Sequence, residues 1–277
     1  MKVFIYESVS CEEQSESPLI KEGRAMLDSV TRDFEATGIV DILTATHNTF
    51  STALEKCDAA LIIAPETNGK LEKLTCAVID SGKVNLGCTH TAIKVTGDKF
   101  LFSKIMQENA IPHPKTFMAD DIQNLQGRCV IKPVDGAGSE NITLCNPGDY
   151  TGETKNMIAQ ECVEGEPMSL SIISDEKTFK ILSVNRQFLT DEMQYTGGEI
   201  VNTLPSAKLY SLTEKIKNAI AGLSGYWGID FVQTKDGPVV IEVNPRITTS
   251  YCALSAHLQI NPAKLILNMQ GIGVAGE

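Results

Sequence analysis

The stretch from Gly228 to Arg246 restricts the fold more than any other. Two apolar runs, residues 228–234 and 238–244, flank Lys235-Asp236-Gly237. An Asp-Gly pair between apolar runs calls for a β-hairpin, because the turn needs residues that tolerate positive φ. Folding there puts Asp230 across from Glu242. Residues i and i+2 of a strand share a face, so Asn244 joins Glu242 while Ile241 and Val243 are expected in the core. Two carboxylates and an amide on one face repel unless a cation sits among them. Hard divalent cations, magnesium or manganese, take that ligand set together with phosphate oxygens and water. Asp230, Glu242 and Asn244 are therefore candidate metal ligands. Pro245 stops the ladder, and Arg246 emerges at its end with a planar guanidinium suited to a carboxylate or a phosphate. A surface hairpin with solvated acids is the competing reading; it suits one acid better than three converging donors.

A second segment fits the same chemistry. Val130-Ile131-Lys132-Pro133 reads as a strand ending in lysine, and Val134-Asp135-Gly136-Ala137-Gly138-Ser139-Glu140-Asn141 follows. Gly136, Gly138 and Ser139 let backbone N–H groups approach a phosphate, and Lys132 supplies a fixed charge. Neither the P-loop nor the dinucleotide glycine pattern is present, and alone this would be an ordinary turn. Residues 160–166, Gln-Glu-Cys-Val-Glu-Gly-Glu, form a strand and a bend. Such a backbone can meet an adenine edge and a carboxylate can hold ribose, although a plain strand and polar turn is an even alternative. Arg186 closes another strand, over phosphates or on the surface.

Length and charge bound the rest. The chain has 277 residues with a net charge of −11, and 42% are hydrophobic. That suits one large domain or two modest ones with a real core, and it lacks the basic stripe that nucleic acid needs. No apolar run approaches a membrane span, and the N-terminal run meets Glu7 too early for a signal peptide. The eight cysteines have no CxxC or zinc-ligand spacing, so most are expected as buried thiols of a reducing cytoplasm. The four histidines are scattered, and no nucleophilic triad can be assembled.

Along the chain, strands at 3–6, 39–43 and 59–63 alternate with helices at 19–34 and 71–81, the latter stopped by Gly82. This βαβ rhythm predicts a small parallel sheet to about residue 95. A helix at 99–109 ends before Pro112 and Pro114. The pattern then changes to strands at 130–132, 157–163, 168–174, 178–185, 229–234 and 239–243, with one clear helix at 212–223. The fold class is thus α/β followed by α+β with antiparallel sheets.

Lys99, the Ile131-Lys132-Pro133 strand with its glycine loop, residues 160–166, Asp230, and Glu242-Val243-Asn244-Pro245-Arg246 occur in the order found in ATP-grasp enzymes, which the chain resembles over roughly residues 95–256. Residues 1–95 resemble the α/β domain that precedes the ATP-grasp fold. The resemblance implies an ATP-binding subdomain at about 96–165 and a catalytic subdomain at about 166–277. Within the family, Asn85-Leu86-Gly87-Cys88, residues 92–99 and 182–187, Gly197-Gly198-Glu199 and residues 244–249 are similar to the tyramine–L-glutamate ligases of methanofuran biosynthesis. The resemblance implies an ATP-dependent carboxylate–amine ligase working through an acylphosphate, with ATP and magnesium or manganese as cofactors. Lys99 and Lys132 would contact phosphates, with the glycine loop closing over them. Glu161, Cys162 and Val163 would run along adenine, and Glu166 would bind ribose. Arg246 would orient the acceptor carboxylate, and Arg186 would meet developing charge. Partners would be a small amino acid and an amine, without nucleic acid or membrane, and a homodimer is left open. A ligase for another acid and amine, and a nucleotide-binding regulator without catalysis, stay as alternatives.

Overall fold

The computed structural model describes residues 1–12, 18–136, 141–259 and 261–273. The apolar N-terminal run forms β1 (Lys2–Glu7), which pairs in parallel with β2 (Asp41–Leu43) and β3 (Ala59–Ile63), and β3 pairs with β4 (Val84–Asn85). The order β2-β1-β3-β4 is the parallel sheet that the βαβ rhythm predicts. Every residue of β3 is buried, because helices cover both faces of a parallel sheet. The helices Pro18–Glu35 and Lys70–Asp80 lie where the apolar periodicity put them, and Gly82 follows with φ of 70°. The helix His90–Gly97, capped by Thr89, was not anticipated.

A second sheet has the order β5-β8-β6-β7, built from β5 (Thr116–Met118), β6 (Cys129–Pro133), β7 (Thr143–Cys145) and β8 (Met157–Glu161), all antiparallel. The third has the order β11-β10-β9-β12-β13: β9 (Glu166–Ser174), β10 (Phe179–Leu189), β11 (Tyr195–Val201), β12 (Gly225–Gln233) and β13 (Pro238–Asn244). Its one covering helix before the hairpin spans Ala207–Ala219, earlier than the 212–223 expected. Ser206 caps its start, accepting a hydrogen bond from the Leu209 amide, and that cap is what the apolar spacing alone did not locate. Short helices Leu254–Leu258 and Pro262–Met269 follow the hairpin.

The first and third sheets share their cores. Phe4 and Tyr6 belong to one buried cluster with Leu170, Ile172 and Trp227, and Val3 and Ile5 to another with Ile173, Tyr226 and Tyr251. The second sheet has its own small cluster of Ala119, Leu125, Cys129, Ile131 and Ala159. Among the described residues no helix is long and apolar enough to cross a membrane.

Candidate active site

The hairpin forms as its turn chemistry requires. The Thr234 hydroxyl accepts hydrogen bonds from the Asp236 and Gly237 amides, and the Thr234 amide donates to the Gly237 carbonyl at 3.1 Å. Asp230 pairs with Glu242 in register, and Gly228 with Asn244. One expectation needs correction. The ladder shifts between Asp230 and Phe231, so that Phe231 pairs with Val240 and Ile241 is the extra residue of a β-bulge. A bulge puts two consecutive side chains out of alternation. Val240 and Val243 are buried, whereas Ile241 lines the cleft beside Glu242 instead of entering the core.

Amides hold the first carboxylate in place. Gln187 Nε2 donates to Asp230 Oδ1 and Asn244 Nδ2 to Asp230 Oδ2, both at 3.0 Å. Burial, then the like charge of Glu242, raises the Asp230 carboxyl above its ordinary value. Glu242 is raised by burial too, but Lys99, Lys132 and Arg246 outweigh that and hold it below the usual range. Lys99 Nζ lies 3.5 Å from Glu242 Oε2 and also donates to the Gly136 carbonyl. Lys99 is the first residue of the helix Lys99–Glu108, whose N-cap Asp98 accepts from the Leu101 amide. Lys132 is buried on β6, and burial pushes its ammonium down to about 8 despite the pull of Glu242. A buried lysine beside two coupled carboxylates is an electrostatic frame built for a strongly charged ligand.

Arg246 is fixed from outside the hairpin. Its Nε lies 3.1 Å from Glu66 Oε1, and Nη2 donates to Glu66 Oε2 at 3.2 Å. Glu66 follows β3, and its role was not visible in the sequence, where it is one acid in a turn. Beside it, the Asn68 amide donates to Asp135, at the start of the glycine loop, at 2.8 Å. Under Arg246 lies a hydroxyl network. Tyr226 OH contacts Ser171 and Thr248 at 3.0 and 2.9 Å, and Asn185 donates to Ser169 and Ser171. These groups pin the residues after Arg246 against the third sheet; sequence reasoning missed them because small hydroxyl residues carry no pattern.

All three sheets enclose a cleft of about 1370 Å³. That exceeds the range typical for one small ligand, which leaves room for a nucleotide and a second substrate. Lys99, Lys132, Gly136, Glu161, Cys162 and Val163 line it, as do Arg186, Asp230, Glu242, Asn244 and Arg246. The Glu161 and Cys162 amides are taken by the Lys115 and Arg128 carbonyls, whereas the Val163 amide has no hydrogen bond from a described residue. Glu166, expected at ribose, instead accepts from Arg186 Nε at 2.5 Å and does not line the cleft; Glu164 does. Arg186 also donates to Glu199 at 2.8 Å, so both acids bind it. The expected residues Gly138 and Ser139 lie outside the described residues. Cys57, Cys88 and Cys129 are buried and the other five cysteines half-buried, so most are not core thiols; Cys162 and Cys252 are wall residues of the cleft.

The donor set at the hairpin fits a hard divalent ion. Two half-buried carboxylates share one face and Glu242 raises the proton affinity of Asp230, the amide oxygen of Asn244 is not committed to Asp230, and the cleft supplies room for phosphate oxygens. Among the described residues no group of three or more His, Cys, Asp or Glu side chains is placed to hold a metal ion, so a site here would need the Asn244 amide as its third protein donor.

The comparisons decide the family. Residues 96–250 match the model of an ATP-grasp domain, and residues 25–93 that of a pre ATP-grasp 3 domain. The chain belongs to the ATP-grasp family. It is 39% identical over 202 residues to the tyramine–L-glutamate ligase of Methanocaldococcus fervens, covering 72% of this chain and 62% of that one. To the enzyme of the same name from Methanocaldococcus jannaschii it is 35% identical over 205 residues, covering 73% and 60%. The chain thus spans about three fifths of the length of these relatives. A solved ATP-grasp superfamily protein from Archaeoglobus fulgidus superposes with a TM-score of 0.81 at 28% identity, covering 99% of this chain and 89% of that one. The ATP-grasp match thus covers the two antiparallel sheets, whereas β2, β3 and β4 of the parallel first sheet fall within the pre ATP-grasp match.

Proposed function

We propose that this chain is an ATP-dependent carboxylate–amine ligase that joins L-glutamate to tyramine, giving γ-glutamyltyramine, ADP and phosphate, the step its resemblance to ligases of methanofuran biosynthesis implies. The observation that carries the reading is the meeting of Asp230, Glu242, Asn244, Lys99 and Lys132 in one cleft, in a chain 39% identical to a tyramine–L-glutamate ligase.

The chemistry follows from charge and position. The adenine would lie along residues 161–163, with the Val163 amide as the free donor. Lys132 and Lys99 would meet the phosphates, and the Gly136 end of the glycine loop would cover them. Magnesium or manganese held by Asp230, Glu242 and Asn244 would neutralise phosphate charge as the γ-phosphoryl group leaves ADP. The substrate carboxylate oxygen forms a bond to the γ-phosphorus while the bond to the β-phosphate oxygen breaks, giving an acylphosphate. The amine nitrogen then bonds to the acyl carbon, phosphate departs, and the nitrogen loses a proton. Arg246, steadied by Glu66, would orient the carboxylate, and Arg186 would face charge at the cleft rim. Enclosure by three sheets protects the acylphosphate from water. The protein's work is orientation and charge compensation.

Mass spectrometry of products from ATP, magnesium, L-glutamate and a panel of amines including tyramine tests the reading. γ-Glutamyltyramine formed with equimolar phosphate is the expected result. ATP consumed with no amide from any amine would overturn it.

A further inference from the structure

The helix Pro18–Glu35 forms part of the wall of the same cleft. Leu19, Glu22, Gly23 and Met26 of that helix line it. Their spacing of three, one and three residues puts them on a single face. Gly23 lets this face sit close to Glu7: a Cβ there would come within 2.5 Å of the Glu7 carboxylate, which is itself occupied accepting from the Val9 and Ser10 amides. Leu19 is 39% exposed, and its open surface faces the cleft. Tyr195, whose hydroxyl lies 3.3 Å from that of Thr249, and Cys252, whose thiol meets Ser29 of the same helix, also line the cleft. Glu22 is half-buried and has no hydrogen bond or ion pair with a described residue, yet it is near enough for its charge to act on Arg246 and Tyr195. The nearby guanidinium of Arg246 is already engaged by Glu66.

A half-buried carboxylate without a hydrogen-bond or ion-pair partner among the described residues, flanked by Leu19 and Met26 on one helix face, is complementary to a cation carried on an apolar body. We propose that Glu22, Leu19 and Met26 form the amine subsite: Glu22 takes the ammonium group of a primary amine and accepts one of its protons, which frees the nitrogen lone pair before attack, and the apolar pair takes its carbon body. The same carboxylate repels an amine that carries its own carboxylate, so the subsite selects an arylalkylamine over the corresponding α-amino acid. This rests on the ligase reading for its place in the reaction, but binding is measurable without turnover.

Calorimetry of tyramine and of tyrosine on protein saturated with magnesium and a non-hydrolysable ATP analogue tests the subsite. Glu22→Gln is expected to weaken tyramine at least tenfold, to narrow the preference for tyramine over tyrosine by a similar factor, and to leave nucleotide affinity within twofold. Leu19→Ala is expected to weaken tyramine severalfold while keeping that preference, which separates the charge from the apolar wall. Equal tyramine affinity in wild type and Glu22→Gln, or no tyramine binding to the wild type, overturns the subsite. Tyramine binding lost on Glu22→Gln in a protein that forms no amide upholds the subsite and overturns the ligase reading instead.

Discussion

At the scale of single residues, the site is a balance of charges that destabilises the empty fold. Lys132 is buried, and its ammonium is pushed down to about 8 from an ordinary 10.5, first by burial and then by Lys99. The unfolded chain therefore binds the extra proton between those values. The cost of burying the charge is full below pH 8 and shrinks as pH rises toward 10.5. Lys132→Met is expected to stabilise the metal- and nucleotide-free protein by about 1–3 kcal/mol at pH 7. The gain should fade in alkali, and ATP turnover should be lost. Urea denaturation at pH 7 and pH 10 checks the sign, and a destabilised variant at pH 7 contradicts it. Asp230 acts likewise, its carboxyl raised by burial and by Glu242. Asp230→Asn removes one of two like charges and keeps a hydrogen-bonding shape, so thermal stability should hold or rise while ATP-dependent turnover falls at least ~100-fold, as expected for loss of electrostatic stabilisation. Near-normal turnover in this variant would falsify the metal assignment.

At the scale of elements, what could be read in advance was set by how strongly each segment's burial is written into its side chains. β3 and the hairpin strands are apolar runs bounded by turn residues, and they stand where periodicity put them. β11 has the sequence Tyr-Thr-Gly-Gly-Glu-Ile-Val at a sheet edge, with only partial burial, so no alternation marks it. The bulge at Ile241 is a backbone event with no compositional sign, and it turned a residue expected in the core toward the cleft. The site showed the same division. Charged residues on strand ends were legible, whereas Glu66 was not, because its partner Arg246 lies 180 residues away in sequence. Tight junctions between sheets were also hidden. Gly225 opens β12 with φ of 64°, and a Cβ there would come within 2.1 Å of the Leu86 carbonyl oxygen. Gly127 has φ of 76° with nothing within 4 Å. Gly127→Ala is expected to cost about 1 kcal/mol through the left-handed backbone alone, and Gly225→Ala at least ~3 kcal/mol, since the backbone of residues 86–87 must also move. Chemical denaturation of the pair measures the difference; equal costs would show that the Leu86 contact yields freely.

At the scale of the whole molecule, three sheets with unequal cores make one cleft. The first and third share buried clusters, while the second rests on a small cluster of its own, so the cleft walls are carried by differently anchored parts. The cysteines report on this arrangement. Cys88 is buried, and burial raises its thiol to about 12; Cys129 is also buried and raised to about 12, first by burial and then by Cys145, whose sulfur lies 3.9 Å away. The thiolate is the reactive form, so both should stay unlabelled by an alkylating reagent at pH 8 in the native protein. Cys162 lines the cleft beside Val163, at the proposed nucleotide end, and Cys252 lines it near the proposed amine subsite, where burial raises its thiol. Peptide mapping by mass spectrometry after a timed exposure is expected to find Cys162 labelled faster than Cys252. Saturating ATP and magnesium should protect Cys162 several-fold and leave Cys252 less affected, and adding tyramine should extend protection to Cys252. Labelling of Cys162 that ignores ATP would mean the nucleotide does not lie along residues 161–163.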